Sequence, residues 1–355
     1  MTARISSPSL GAASYQDKGA WTAAVSHRWQ YSDRHYVGGE EQVHREREGS
    51  QVINDVHVVD FSVSYALSKR INTTLSVPFQ FATRSQAVRD TRRVGGANSP
   101  LVNPSAFAAP NGTFGGAVID RYQTEANGLS DIKLLATAWI LDPDSHKKGN
   151  ISVGLGALFP TGEKDVKDVP KTARITPGVG GALPTIAVVD APLQNVDNSI
   201  QPGAGAWGII FDIYGFQEIV TNLTAFVSGT YISTPEEDAG VLSGTGPRVW
   251  SVGDSYLARA GFGYAILPRH GLSLTLGARV EGSPPRDIIG GDGGRRRPGY
   301  GVSIEPGVVF AKNGWFASFS APVAIYRNRQ NDSMGQEGDA AFADFMTLFS
   351  FGKKF

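Results

Sequence analysis

The stretch that decides the fold is the last one, AFADFMTLFSFGKKF, at residues 341–355. Counted back from Phe355, every second position is apolar or Thr347, and only Lys353 interrupts the series. The positions between them are small, polar or mixed. A two-residue period with one apolar face predicts a β-strand that contacts an apolar environment on one side only.

Eleven further segments repeat this two-residue period, so the last one belongs to a series. In residues 272–281, leucine, alanine and valine alternate with serine, threonine, glycine, arginine and glutamate. Strands of about 10–14 residues suit a tilted crossing of an apolar layer about 25 Å thick. The predicted strands are 21–34, 56–67, 71–83, 128–141, 151–160, 204–216, 223–231, 256–267, 272–281, 301–311, 315–326 and 341–355.

Long and short connections alternate along the whole chain. The long ones are 35–55, 84–127, 161–203, 232–253, 282–300 and 327–340. A transmembrane barrel has this asymmetry, with short periplasmic turns and long extracellular loops. The sequence therefore predicts an all-β fold: a single closed antiparallel transmembrane β-barrel of about 12 strands over residues 21–355, preceded by an N-terminal periplasmic segment, 1–20. A soluble β-sandwich is the alternative, but the second faces carry small, polar or charged residues instead of a second apolar layer.

Composition narrows the function. Glycine is abundant, at 43 residues, and aromatic residues make up 10% of the chain. There is no cysteine, which excludes disulfides and thiolate metal sites. Lysine plus arginine equals aspartate plus glutamate, at 33 each, so no basic field indicates nucleic acid. No cofactor, metal site or catalytic residue is predicted.

The beginning of the sequence, MTARISSPSLGAASYQ, lacks the apolar core of a signal peptide. Export to an outer membrane requires one. Either the numbering begins near the mature N-terminus, or the barrel interpretation is wrong.

Three motifs resemble a family of bacterial outer-membrane proteins named for the phenol-degradation meta-pathway, the MetA type, whose members are described as transporters. The motifs are GLSD at 128–131, LFPTG at 158–162, and SIQPG at 199–203 before GAWG at 205–208. The resemblance covers the fourth to sixth strands. It implies a transporter of the bacterial outer membrane, tilted towards hydrophobic or aromatic compounds, and it carries no catalytic residues.

The C-terminal strand also resembles the recognition signal of bacterial outer-membrane barrels, because it ends in phenylalanine. The resemblance implies that Phe349, Phe351 and Phe355 form a membrane-insertion signal read by the barrel-assembly machinery. Outer-membrane lipid and lipopolysaccharide are the other expected partners. The run Arg295-Arg296-Arg297 lies where lipopolysaccharide phosphates would be, although a solvated loop is the more ordinary interpretation.

Strand parity predicts an inner face that carries charges of both signs. Its pore-lining candidates are Arg28, Asp60, Asp131, Lys133, Asp212, Arg259, Arg279, Glu281, Glu305 and Asp344. They would form either a mixed electrostatic constriction for small solutes or a ladder of ion pairs that braces a small barrel. Both interpretations stay open at this stage.

Three functions compete. The leading prediction is a channel or facilitated-diffusion barrel for small solutes, possessing no enzymatic activity. The alternative is a structural barrel with a filled lumen that binds partners through its loops. An outer-membrane lipid enzyme would need a serine, a histidine and an acidic or amide partner on the lipid face, where His27 is the sole candidate.

Overall fold

A computed structural model of the chain describes residues 15–92, 116–236, 238–242, 249–335 and 338–355. Twelve antiparallel strands form one closed barrel. Helical structure in the described ranges comprises the single turn His44–Arg47 and the 3-10 turn Pro268–His270. No helix among these residues is long and apolar enough to span a membrane.

The barrel strands are numbered in chain order. They are β1 (Trp21–Val37), β2 (Ile53–Ala66), β3 (Ile71–Arg89), β4 (in two parts, Val118–Leu129 and Ile132–Trp139), β5 (Gly149–Phe159), β6 (Gly208–Val220), β7 (Leu223–Ser233), β8 (Ser255–Leu267), β9 (Leu272–Ser283), β10 (Gly299–Lys312), β11 (in two parts, Trp315–Ser320 and Val323–Arg329) and β12 (Asp339–Lys354). Each strand pairs with the next, and β12 pairs with β1 from Thr22–Lys354 to Val37–Asp339. The predicted closed 12-stranded barrel is confirmed.

The connections contain short pairings of their own. Glu40–Glu41 pairs with the end of β1. The β5–β6 loop holds two small hairpins and the β7–β8 loop one; their strands are Lys167–Asp168 with Gln194–Asn195, Lys171–Thr176 with Thr185–Asp190, and Asp238–Leu242 with Val249–Ser251.

Turns close one end of the barrel tightly. Asn313 and Gly314 join β10 to β11 with φ of 52° and 78°, a left-handed pair that suits a two-residue hairpin. Asn222 adopts φ 69° in the equally short β6–β7 turn. Five of the six loops at the opposite end are longer than every turn at this end, whereas the β11–β12 loop (330–338) has the same nine residues as the β4–β5 turn (140–148). The predicted alternation of connections therefore holds for all but this loop.

The outer wall is apolar. Side chains of alternate positions stay exposed to the surroundings of the barrel, for example Leu155 at 60%, Leu276 at 58% and Ile325 at 60%. An aqueous surface would not favour such a continuous apolar band, whereas lipid does. Strand parity therefore predicts the lipid-facing side correctly through the regular parts of the sheet.

The wall is interrupted in β4 and, more briefly, in β11 between Ser320 and Val323; the break in β4 is covered by a loop. The first part of β4 pairs only with β3, whereas its second part pairs with both β3 and β5. The β5–β6 loop covers the break, since Ser130 Oγ donates to the carbonyl of Pro202 at 2.7 Å. The strands around this break also extend further than predicted: β3 continues to Arg89 and β4 begins at Val118. Of the predicted 84–127 loop, residues 93–115 lie outside the described residues, as do residues 1–14 of the N-terminal segment.

The last strand closes the barrel with its final residue. Phe355 N donates to Trp21 O at 2.8 Å, and the Phe355 ring is 68% exposed. Phe349 and Phe351 are exposed on the same outward face. All three rings are accessible on the outer face of β12, and their role as an insertion signal stays a prediction.

We expect Phe355→Ala to lower the fraction of protein that assembles in the outer membrane, because a terminal aromatic ring available for recognition is lost. The matched control is Phe319→Ala, which removes another outward-facing ring, 44% exposed, from a strand interior. Heat-modifiable gel mobility of membrane fractions measures the assembled share. Equal losses in both variants would show that the ring contributes only lipid contact.

Candidate functional site

Five of the ten predicted pore-lining residues meet in one chain of ion pairs in the middle of the lumen. Arg28 Nη2 lies 3.1 Å from Glu281 Oε1, and Arg279 Nη2 lies 2.6 Å from Glu281 Oε2. Arg279 Nη1 lies 3.7 Å from Glu305 Oε2, and Arg259 Nη2 lies 2.7 Å from Glu305 Oε1. We call this group the lumen network. It contains three arginines and two glutamates, so its formal charge is positive.

The lumen network crosses the barrel from one wall to another. Arg28 belongs to β1, whereas Glu281 belongs to β9. Four strand spacings separate β9 from β1 by way of β10, β11 and β12, roughly 19 Å along the wall. A 3.1 Å contact between them is therefore made through the interior.

The positions of two arginines on the sheet explain why the lumen network needs glutamates to neutralise them. Arg259 and Arg279 are direct cross-strand partners on β8 and β9, where two like charges repel. Glu305, from the next strand, β10, contacts both of them. Ser320 Oγ donates to Glu305 Oε1 at 2.8 Å and holds the carboxylate in place.

Two glycines beside the lumen network let the backbones of β8 and β9 approach closely and leave space for its side chains. Gly261 and Gly277 are cross-strand partners that lie two residues from Arg259 on β8 and two residues from Arg279 on β9. A Cβ on Gly261 would lie only 2.6 Å from the Gly277 Cα. Side chains at these two positions would have to shift the strands that carry Arg259 and Arg279.

Burial of the lumen network is nearly complete. The side chains of Arg279 and Glu305 are 1% and 3% exposed, and those of Arg28, Arg259 and Glu281 are 11–18% exposed. Charges at this depth are stable only because each faces an opposite charge. The side chains therefore fill part of the lumen with paired charges.

Asp60, Lys133 and Asp212 make further polar contacts. Lys133 Nζ is 3.6 Å from Asp60 Oδ2, which joins β4 to β2 across β3. Asp212 Oδ2 accepts a hydrogen bond from Thr230 Oγ1 at 2.7 Å. These groups extend the charged interior beyond the five residues of the lumen network.

Asp131 and Asp344 have other surroundings. Asp131 accepts hydrogen bonds from Gly162 N at 3.1 Å and Ala204 N at 2.9 Å, so it ties the β5–β6 loop to the break in β4. Asp344 pairs with Arg34 and Arg327 at the extracellular end.

A bulge explains why alternation alone does not place Asp344. Gln30 pairs with Met346 and Ser32 with Ala343, so two residues of β12 face one residue of β1. The register is restored at Arg34–Phe342, so the change of parity is confined to the residues around Asp344.

An apolar patch faces the interior and was missed by sequence reasoning. Its residues come from neighbouring strands β5 to β8 and are at most 3% exposed: Leu158, Ile210, Ile232 and Leu257. The sequence signal for them was their inward parity, which we expected to carry only small, polar or charged residues. One wall of the lumen is therefore apolar.

His27 faces another histidine instead of a serine. His27 Nε2 lies 3.0 Å from His57 Nδ1, and Trp29 Nε1 donates to Asp55 Oδ1 at 2.8 Å. No serine hydrogen-bonds to His27 within the described ranges. Those ranges also hold no cluster of three or more candidate metal ligands. Among the described residues, His27 is thus paired with a second histidine.

The periplasmic end of the lumen holds an aromatic cluster. Tyr15 packs edge-on against Trp139 at 4.9 Å and Phe216 at 6.0 Å between ring centroids. Asn150 Nδ2 donates to Tyr15 Oη at 3.0 Å. The residues just before β1 thus pack onto the strands that end at the periplasmic turns.

Comparison with known proteins places the fold. No protein-family model and no curated protein sequence matches the chain. The crystal structure of an outer membrane channel from Pseudomonas putida F1 aligns with a TM-score of 0.56 at 12% identity, over 99% of this chain and 100% of that chain. The P. putida toluene transporter TodX aligns with a TM-score of 0.46 at 11% identity, over 96% of this chain and 91% of that chain. The translocator domain of autotransporter NalP from Neisseria meningitidis aligns with a TM-score of 0.43 at 13% identity, over 96% of this chain and 90% of that chain. The first alignment shows that this chain has the fold of an outer-membrane barrel; the MetA-type resemblance stays a prediction.

We expect Arg279→Gln to destabilise the barrel by about 3–5 kcal/mol, because it leaves two buried glutamates without their shared cation. Urea unfolding in detergent micelles, followed by tryptophan fluorescence, measures the loss. The control is Lys148→Gln in the exposed pair with Glu218, where about 0–1 kcal/mol is expected. Losses of similar size in both variants would contradict a bracing role.

Proposed function

We propose that this chain is an outer-membrane channel for small solutes in which the lumen network forms the constriction. The observation that carries the proposal is the Arg28–Glu281 contact, which places paired charges across the interior of a closed barrel. Support also comes from the apolar outer wall, which suits insertion in a lipid bilayer.

Charge determines what such a constriction favours. Three arginines and two glutamates give the lumen network one excess positive charge. Opposite charges within a few ångströms also give strong local fields, which favour polar groups that can replace one partner of an ion pair. The channel should therefore be weakly anion-selective.

The interior also suits solutes with an apolar part. The patch of Leu158, Ile210, Ile232 and Leu257 lies on the wall opposite the polar part of β1. Together with the resemblance to the MetA-type family, it extends the proposal to hydrophobic or aromatic compounds.

Burial of the lumen network favours a second candidate, a barrel whose lumen is filled and whose loops bind a partner. Arg279 is almost inaccessible, as expected of a side chain that fills space. The two candidates differ in one measurable property, which is conductance.

In planar bilayers, we expect the native protein to give steady single-channel currents with weak anion preference. Arg28→Gln removes the only β1 member of the lumen network and its excess charge. Conductance should rise and the anion preference should disappear, as read from the reversal potential in a salt gradient.

Lys69→Gln is the matched control, since it also removes a cation but from an exposed pair with Asp144 at a periplasmic turn. It should leave both quantities unchanged. Absence of conductance in the native protein would favour the filled barrel, and equal effects of the two substitutions would contradict the proposed constriction.

A further inference from the structure

A second charged region lies at the extracellular end of the lumen, apart from the lumen network. It surrounds a partly open cavity of about 250 Å³. Strand ends and four long loops contribute to its lining. Its arginines are Arg45, Arg84, Arg295, Arg296, Arg297 and Arg329, and its acids are Asp254 and Asp339. We call it the mouth cavity.

Most of these arginines share a small number of carboxylates. Asp339 pairs with Arg45. Asp197 accepts Arg297 Nη1 at 2.8 Å and Nη2 at 2.9 Å, and it also lies 3.4 Å from Arg84 Nη2. Burial alone would raise the pKa of Asp197, but Arg297 and Arg84 hold it well below its usual value, so it is ionised at neutral pH.

Arg296 belongs to the same lining and has acids of its own. Its guanidinium lies 2.9 Å from Asp287 and 3.1 Å from Asp292. The carboxylate of Asp254 instead accepts Thr234 N at 2.7 Å, Ile288 N at 2.9 Å and Tyr231 Oη at 2.7 Å. Backbone and phenol donors thus already occupy Asp254.

His35 does not add a further cation. Val52 N donates to His35 Nε2 at 2.9 Å, so that nitrogen carries a lone pair. The other ring nitrogen, Nδ1, then carries the proton and donates to Asp339 at 3.1 Å. A neutral imidazole is the form these two contacts require.

Arg329 has no carboxylate within ion-pair distance among the described residues, although it is only 2% exposed. Its guanidinium donates to the carbonyls of Arg297 at 3.2 Å and Ala341 at 3.0 Å, and lies 3.9 Å from the centroid of the Phe342 ring. Its buried Nε atom has no hydrogen-bond partner. A buried guanidinium that has only carbonyls and a ring as partners is costly unless an anion joins it.

Arginines outnumber acids in the described lining of the mouth cavity. Six guanidinium groups line it together with Asp254 and Asp339, and Asp197, Asp287 and Asp292 pair with arginines of the lining. The lining also includes the apolar side chains of Trp250, Val52 and Ala341. Arg295 and Arg297 lie over the Trp250 ring at 5.4 and 4.8 Å. An anionic group next to an apolar body matches this combination.

We propose that the mouth cavity binds a small organic carboxylate, with Arg329 as the main cationic contact and Trp250 beside the apolar part of the ligand. A planar guanidinium matches the two oxygens of a carboxylate better than an ammonium group does. As a solute site, this deepens the proposed channel function and rests on it. Binding itself can be measured whether or not the barrel conducts.

The test is isothermal titration of the full chain in detergent with sodium benzoate, a planar monoanion. Benzyl alcohol, which has the ring but no charge, tests whether binding requires the negative charge. Inorganic phosphate, which is an anion without an apolar body, tests whether binding requires an organic carboxylate. Saturable binding of benzoate is expected, with weak or no binding of the other two. Arg329→Gln should weaken benzoate binding by about tenfold or more, because charge-assisted hydrogen bonds are lost. Arg286→Gln, an exposed arginine of the same loop as Arg297, is the matched control and should bind like the native protein.

Four results would overturn the proposal: no benzoate binding, equal binding of benzyl alcohol, equal or tighter binding of phosphate, or unchanged affinity in Arg329→Gln. Heat-dependent gel mobility verifies that each variant is a folded barrel, and Arg329→Lys replaces Arg329→Gln if the latter does not fold. The lysine variant keeps the positive charge but lacks the planar guanidinium with its two parallel N–H donors. Its affinity for benzoate should therefore fall between those of the native protein and the glutamine variant. Conductance without benzoate binding contradicts this inference alone, whereas benzoate binding without conductance contradicts the channel alone.

Discussion

Every backbone amide in the wall of this molecule must find a partner within the protein, because lipid offers none. A flat sheet cannot meet that condition at its two edges. Pairing of β12 with β1 removes both edges at once, over most of the length of the two strands. The alternation of apolar and polar residues follows from the same closure, since a closed wall has one lipid face and one enclosed face.

Enclosure then governs the chemistry of the interior. A narrow lumen brings side chains of distant strands within reach of one another, so charges that would be solvated on an open sheet become paired. Arg28 and Glu281 are far apart along the wall but adjacent across it. At the extracellular end the loops do the same for Arg297 and Asp197, residues 100 positions apart in the chain.

Sequence periodicity was sufficient to predict the strands, their order in the sheet and, for most residues, which side chains face outwards. Each of these depends on local alternation and on the length of the connections. Arg279, Glu281 and Glu305, which periodicity assigned to the inner face, are joined by ion pairs in the structure. Periodicity could not identify the partner of Arg28, which depends on the diameter of the barrel. It also did not predict that Arg296 and Arg297 fold inwards to buried acids, since a loop has no period from which direction can be read. The bulge at Asp344 shows the remaining limit, because a local irregularity interrupts the alternation from which the direction of that one side chain was read.

Tyr15 has a consequence for the order in which the molecule is built. Its ring contacts Trp139 and Phe216, and its carbonyl accepts a hydrogen bond from the ammonium group of Lys354. Those partners belong to the fourth, sixth and last strands, so the full set of contacts exists only after the entire chain has emerged and the final strand has paired. The earliest described residue is therefore among the last to settle. The packing of Tyr15 against these strands therefore indicates that the barrel is complete, and a spectroscopic probe placed beside Tyr15 would report when assembly ends.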